Sequence, residues 1–119
     1  MHPDIETDPR DLDQALRVTG GSRELADELF AELLRDLPAR LRELARSFER
    51  KDWTAMRESL HQLEGSTAVC ALPALREQAQ RLHGLIRDGK TEGIDDEFAL
   101  LVDEGESLMR FRESGADQS

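Results

Sequence analysis

The chain contains no tyrosine, and aromatic residues make up only 4% of its 119 positions. A core without large rings must be assembled from leucine and alanine, a composition that favours helices over strands. The single cysteine, Cys70, cannot close an internal disulfide, which fits a reducing compartment. No apolar run approaches the ~20 residues that a membrane-spanning helix needs, and the start shows no signal-peptide pattern. A cytoplasmic location is therefore expected. Basic residues are scarce: 16 Lys and Arg stand against 26 Asp and Glu, for a net charge of −10. Nucleic acids and membrane surfaces are themselves anionic, so neither is an expected partner. A glycine-rich nucleotide loop is missing, which argues against direct use of ATP. No Ser/His/Asp or Cys/His spacing suits a nucleophilic enzyme.

What the chain does carry is helical periodicity. Its length allows one domain with one modest core. Apolar residues recur at every third or fourth position, without strand-like alternation. The spacing predicts a short leader helix over about 11–18, burying Leu12, Ala15 and Leu16 and stopping at Gly20-Gly21. Ser22 reads as the N-cap of a long segment reaching about Lys51, with a face running from Ala26 through Phe30, Leu33, Leu37 and Leu41 to Phe48. Pro38 falls inside it and is expected to kink or divide it. Asp52 should cap a helix over about 53–69. Pro73, in a first turn, starts another that runs to about Arg87. A last helix over about 92–112 carries Ile94, Phe98, Leu101, Leu108 and Met109 on one stripe. Residues 1–10 and 113–119 are polar and read as frayed, disordered ends. The expected fold is all-α: an up-and-down antiparallel four-helix bundle over 11–112 with a short N-terminal leader helix.

On the 53–69 helix, Trp53, Met56, Leu60, Leu63, Thr67 and Cys70 form the core stripe. At ~100° per residue, His61 stands about 140° from the centre of that stripe, on a face with Thr54, Arg57, Glu58, Gly65 and Ala68. A histidine so placed points to solvent, and alone it reads as an ordinary surface residue. Gly65, one turn on, adds a second signal. Glycine weakens a helix interior by ~0.8–1 kcal/mol relative to alanine, and its small size leaves the imidazole uncovered. His83, on the following helix, lies about 70° from the Leu75-Ala79-Leu82-Ile86 stripe. It is either a boundary residue or a group that orients or hydrogen-bonds His61. Cys70 reads as a small packing residue.

Residues 61–75, His-Gln-Leu-Glu-Gly-Ser-Thr-Ala-Val-Cys-Ala-Leu-Pro-Ala-Leu, resemble the signature of histidine phosphotransfer (HPt) domains. That signature runs His-x-Leu-Lys-Gly-Ser, then a small or polar stretch, a glycine and a leucine. Asp13 to Asp36, with Gly20-Gly21 and Leu37-Pro38 beyond, is similar to the family's first two helices. Lys51-Asp52-Trp53 resembles the approach to its active helix, and Leu72 to Leu75 the start of the next. The likeness covers roughly residues 11–111 and is to the HPt domain that ends tripartite hybrid sensor kinases of the BarA/GacS type. It implies a phosphorelay intermediate rather than an enzyme. His61 would be the phosphoacceptor, loaded on Nε2 from a receiver-domain aspartate and unloaded onto another receiver. The resemblance further implies a chain that binds no cofactor of its own, with Mg²⁺ supplied by the partner receiver domain. A monomer is expected. Arg57, Glu58, Glu64, Gly65, Ala68, Leu72 and His83 are the expected supporting or docking residues, with Gly65, Ala68 and Leu72 as the receiver-docking patch.

Two departures from the family pattern motivate a rival. Glu64 stands where members mostly have lysine, and Ala71 where they have the second glycine. Glutamate removes a counter-charge for phosphohistidine and adds repulsion, which Arg57 offsets in part. The rival is an interaction-only module that binds receivers or kinases without accepting phosphate. A more remote alternative is a metal-binding bundle: Glu58-x-x-His61 has the spacing of di-iron carboxylate motifs, but its second copy would be Gln80-x-x-His83.

Overall fold

Asp11, Ser22 and Asp52 each open a helix by accepting a hydrogen bond from a backbone N–H three residues on, at 3.2, 3.0 and 3.1 Å. Such caps satisfy donors that a helix start leaves free. The computed structural model describes residues 8–117 and contains α1 (Leu12–Val18), α2 (Arg23–Arg50), α3 (Trp53–Cys70), α4 (Pro73–Arg87) and α5 (Ile94–Asp117). Helices α2 to α5 pack in a closed ring, each against its chain neighbours and α2 against α5, while α1 lies across α2 and α3. The chain is therefore all-helical among the described residues, as its periodicity predicts.

The predicted faces of α2 to α5 turn inward, whereas in α1 only Ala15 is buried and Leu12 and Leu16, expected with it, are half-buried because this short helix lies across the outside of α2 and α3. Leu37, Leu44, Met56, Leu60, Leu63, Leu75, Leu82 and Leu101 are fully enclosed, with Phe48, Trp53 and Phe98 packed at one border of the core. Pro38 does not divide α2, which runs unbroken from Arg23 to Arg50. Proline removes one N–H, but Leu34, Leu37 and Leu41 are buried on both sides of it and hold both halves to the core.

Residues 8–10 make defined contacts and 113–117 continue a helix, although their composition reads as frayed. Arg10 is buried: it pairs with Asp8 at 2.8 Å and Asp27 at 3.0 Å, donates to the Ala26 carbonyl, and lies 4.5 Å over the Phe30 ring. Burial alone would raise the Asp8 and Asp27 carboxyls. The hydrogen bonds and charge of Arg10, joined at Asp27 by Arg23, outweigh it and hold both below the ordinary range. Helix α5 continues to Asp117, beyond the expected end near 112. Residues 1–7 and 118–119 of the expected frayed ends lie outside the described residues.

Both ends of the loop-free turns around α3 use left-handed residues. Lys51 (φ 55°) closes α2 and Ala71 (φ 58°) closes α3. In each case the next residue's N–H reaches back to a carbonyl five positions earlier, Ser47 and Thr67, at 2.9 Å. Glycine would enter this conformation at 71 without the penalty that alanine carries. Helix α3 ends there regardless.

Candidate functional site

Helix α3 is held in register by its inner stripe: Met56, Leu60, Leu63 and Thr67 have no exposed surface. That fixes His61 outward, in mid-helix, exposed to solvent. An open groove of about 660 Å³ between α3 and α4 is lined by Thr54, Arg57, Glu58, His61, Gln62 and His83. The structure thus brings His61, Arg57, Glu58 and His83 together. A second groove, of about 610 Å³, runs on the other flank of α3 against α2, and Gln62 borders both. Gly65, Ser66, Val69, Leu29, Asp36 and Arg40 are among its walls, and Arg40 donates to the Gln62 side chain at 3.4 Å.

A Cβ built on Gly65 meets nothing within 4 Å. The glycine is therefore not required by any contact inside the molecule, and the helix carries its cost at an open position beside the histidine.

Glu64 is committed elsewhere. Its Oε2 lies 2.7 Å from His83 Nδ1, and both side chains are about one-fifth exposed. An ionised carboxylate only accepts, so Nδ1 carries the proton and donates. Among the described residues, the partner of His83 is Glu64, and no hydrogen bond joins His83 to His61. Glu64 thus bridges α3 to α4, and its carboxylate is hydrogen-bonded to His83 rather than free beside the site.

Leu72, expected in the docking patch, is 2% exposed and belongs to the core. It follows the left-handed Ala71, which turns the chain inward before Pro73. Ala68 is half-buried and borders a separate hollow with Asp11, Gln14 and Arg76. Sequence reasoning missed Gln62, Arg40 and Val69. Val69 is 42% exposed, an apolar residue about 80° round the helix from His61 and off the core stripe. That mismatch was the available signal. Cys70 is a packing residue: its thiol is buried, burial pushes its pKa up, and Sγ donates to the Leu29 carbonyl at 3.4 Å. Glu58 and His61 both face solvent. Among the described residues no group of three His, Cys, Asp or Glu side chains is arranged to hold a metal ion.

The bundle presents His61, exposed, from the middle of α3, and Gly65 leaves open space one turn on. The chain belongs to the Hpt domain family, whose model matches residues 28–111. It is 33% identical over 96 residues to the sensor histidine kinase GacS of Pseudomonas protegens, covering 79% of this chain and 10% of that protein. It is 32% identical over 77 residues to the sensor protein GacS of Pseudomonas syringae pv. syringae, covering 65% of this chain and 8% of that protein. The chain thus spans about a tenth of the length of these relatives. The HPT domain of an Hpt sensor hybrid histidine kinase from Shewanella has the same fold, with a TM-score of 0.80, 20% identity, and coverage of 93% of this chain and 96% of that one. Family membership assigns the chain a phosphotransfer role in two-component signalling, as a phosphocarrier rather than a catalytic domain. No helix among the described residues is long and apolar enough to cross a membrane.

Proposed function

We propose that His61 is the phosphoacceptor of a relay between two receiver domains. The lone pair of His61 Nε2 attacks the phosphorus of a receiver's aspartyl phosphate. The N–P bond forms as the bond from phosphorus to the carboxylate oxygen breaks, and the aspartate leaves as carboxylate. The reverse step at a second receiver unloads the histidine. Such transfer depends chiefly on positioning and charge neutralisation, and the Mg²⁺ that neutralises the moving group belongs to the receiver. This chain contributes an imidazole in a fixed, open place.

The observation that carries the reading is the pairing of an exposed His61 with Gly65, whose smallness serves no internal contact. Arg57 lines the same groove and supplies a positive charge toward the phosphoryl group. The flanking α2–α3 groove, with exposed Val69 and the gap at Gly65, is the receiver's seat, and Ala68 lies outside it, on the hollow toward α1 and α4. The GacS relatives and the Shewanella protein are sensor kinases by name, so the expected partners are receiver domains of hybrid kinases or response regulators. The chain acts as a monomer in this scheme, in the cytoplasm.

The test is phosphotransfer from a panel of receiver domains charged with acetyl phosphate to the wild-type chain and to His61→Gln. Acid-labile, base-stable phosphate on the wild type alone is the expected result. Label on both proteins moves the acceptor to another site. Label on neither, with receivers still binding, makes the chain an interaction-only module.

A further inference from the structure

The departure at position 64 and the neighbour across the groove belong together. Phosphorylation of His61 brings close to two negative charges into the α3–α4 groove. A free carboxylate at Glu64 would oppose them. Instead Glu64 holds His83 Nδ1–H at 2.7 Å, and His83 lines the groove that holds His61 while Glu64 does not. With Nδ1 engaged, the groove is left to the Nε2 side of the ring. A carboxylate on one ring nitrogen fixes the tautomer and orientation of the other.

We infer that His83 is a phosphoryl-binding residue of the loaded state: carrying a second proton on Nε2, it donates a hydrogen bond to a phosphoryl oxygen on His61, with Glu64 as the positioning residue behind it. This rests on His61 being the acceptor. Of the pair, the imidazolium lines the groove and the carboxylate does not, so a cation faces the phosphohistidine without a lysine on α3. Arg57, on α3, faces the same groove and shares the charge.

The experiment measures phosphate held on His61 at equilibrium with a charged receiver domain, in wild type, His83→Leu and Glu64→Lys/His83→Leu. His83→Leu leaves the Glu64 carboxylate unpaired and is expected to hold about tenfold less phosphate, the size of one charge contact across a half-exposed groove. Lysine at 64 restores the positive charge and is expected to recover most of the loss. Leucine cannot hydrogen-bond lysine, so a purely structural clamp predicts no rescue. Equal occupancy in wild type and His83→Leu overturns the inference while leaving His61 as acceptor, as does a loss that lysine fails to repair. Imidazole ¹⁵N spectra of the wild type decide the matter if His83→Leu unfolds. Both His83 nitrogens should show protons once His61 is phosphorylated, and an unchanged His83 spectrum overturns the inference. A wild type that takes no label on His61 overturns the acceptor assignment and this inference with it.

Discussion

Gly105 of α5 and Leu41 of α2 meet so closely that a Cβ on residue 105 would lie 2.9 Å from Leu41 Cδ1. The ring of helices closes at this point, and glycine is what permits the approach. Gly105→Val is expected to destabilise the bundle by about 2–3 kcal/mol, the upper range for overpacking a filled core. Gly105→Ala should fail to deliver the ~1 kcal/mol helix gain usual for that change. Urea unfolding of the three proteins measures both; a stabilised alanine variant would mean that Leu41 rotates away freely.

Gly65 gives the opposite expectation. With nothing within 4 Å of its missing Cβ, Gly65→Ala should stabilise α3 by about 0.8–1 kcal/mol. The same variant should slow phosphotransfer to His61, and Gly65→Leu should slow it further, because added atoms occupy the receiver's approach. Stability and transfer rate move in opposite directions. Unchanged transfer in Gly65→Leu would remove the open-space argument.

Lys51 and Ala71 share a left-handed backbone but not an environment. Lys51 is exposed, so Lys51→Gly should recover about 1 kcal/mol of conformational strain with little lost packing. Ala71 is 6% exposed and packs with Ala15 and Ala26. Its methyl contributes roughly 0.8 kcal/mol of burial, which offsets most of the same relief. Thermal melts should therefore rank Lys51→Gly above Ala71→Gly, with the latter near wild type.

Arg10→Leu is expected to cost about 2–3 kcal/mol, as for hydrogen bonds to a charged group with its partners left behind. The loss is largest above pH ~4, where the Asp8 and Asp27 carboxylates are ionised in the folded and unfolded chain alike. As pH falls through their depressed folded values, the wild type loses this contribution, and the stability gap to Arg10→Leu should narrow. The half-exposed Asp27 contributes less than Asp8, which is 22% exposed. A gap constant from pH 7 to pH 3 would show that Arg10 acts by packing on Phe30 alone.

Most of the fold was legible because burial in a bundle follows a simple period. Leu60 and Leu63 could be placed inward, and His61 outward, from spacing alone. Caps at Ser22 and Asp52 were equally local. What escaped depends on groups distant in the chain. Arg10 looks like part of a polar end until Asp27 and Phe30, a turn apart on α2, are brought beneath it. Gly105 looks like an interruption until Leu41 is set against it. Glu64 looked like a charge placed against function; its bond to His83 depends on the rotation of α4, which no periodicity in α3 encodes. Leu72 was misplaced because its helix-start position hides the inward turn made at Ala71.

The exposure of a single imidazole on one side of α3 has a kinetic corollary. Under the proposed relay, one face serves as both inlet and outlet, so a donor receiver must depart before an acceptor can dock. The two compete for one seat. Net flow is then set by their relative abundance and residence times, and an excess of unphosphorylated donor would act as a brake on the very signal it supplies.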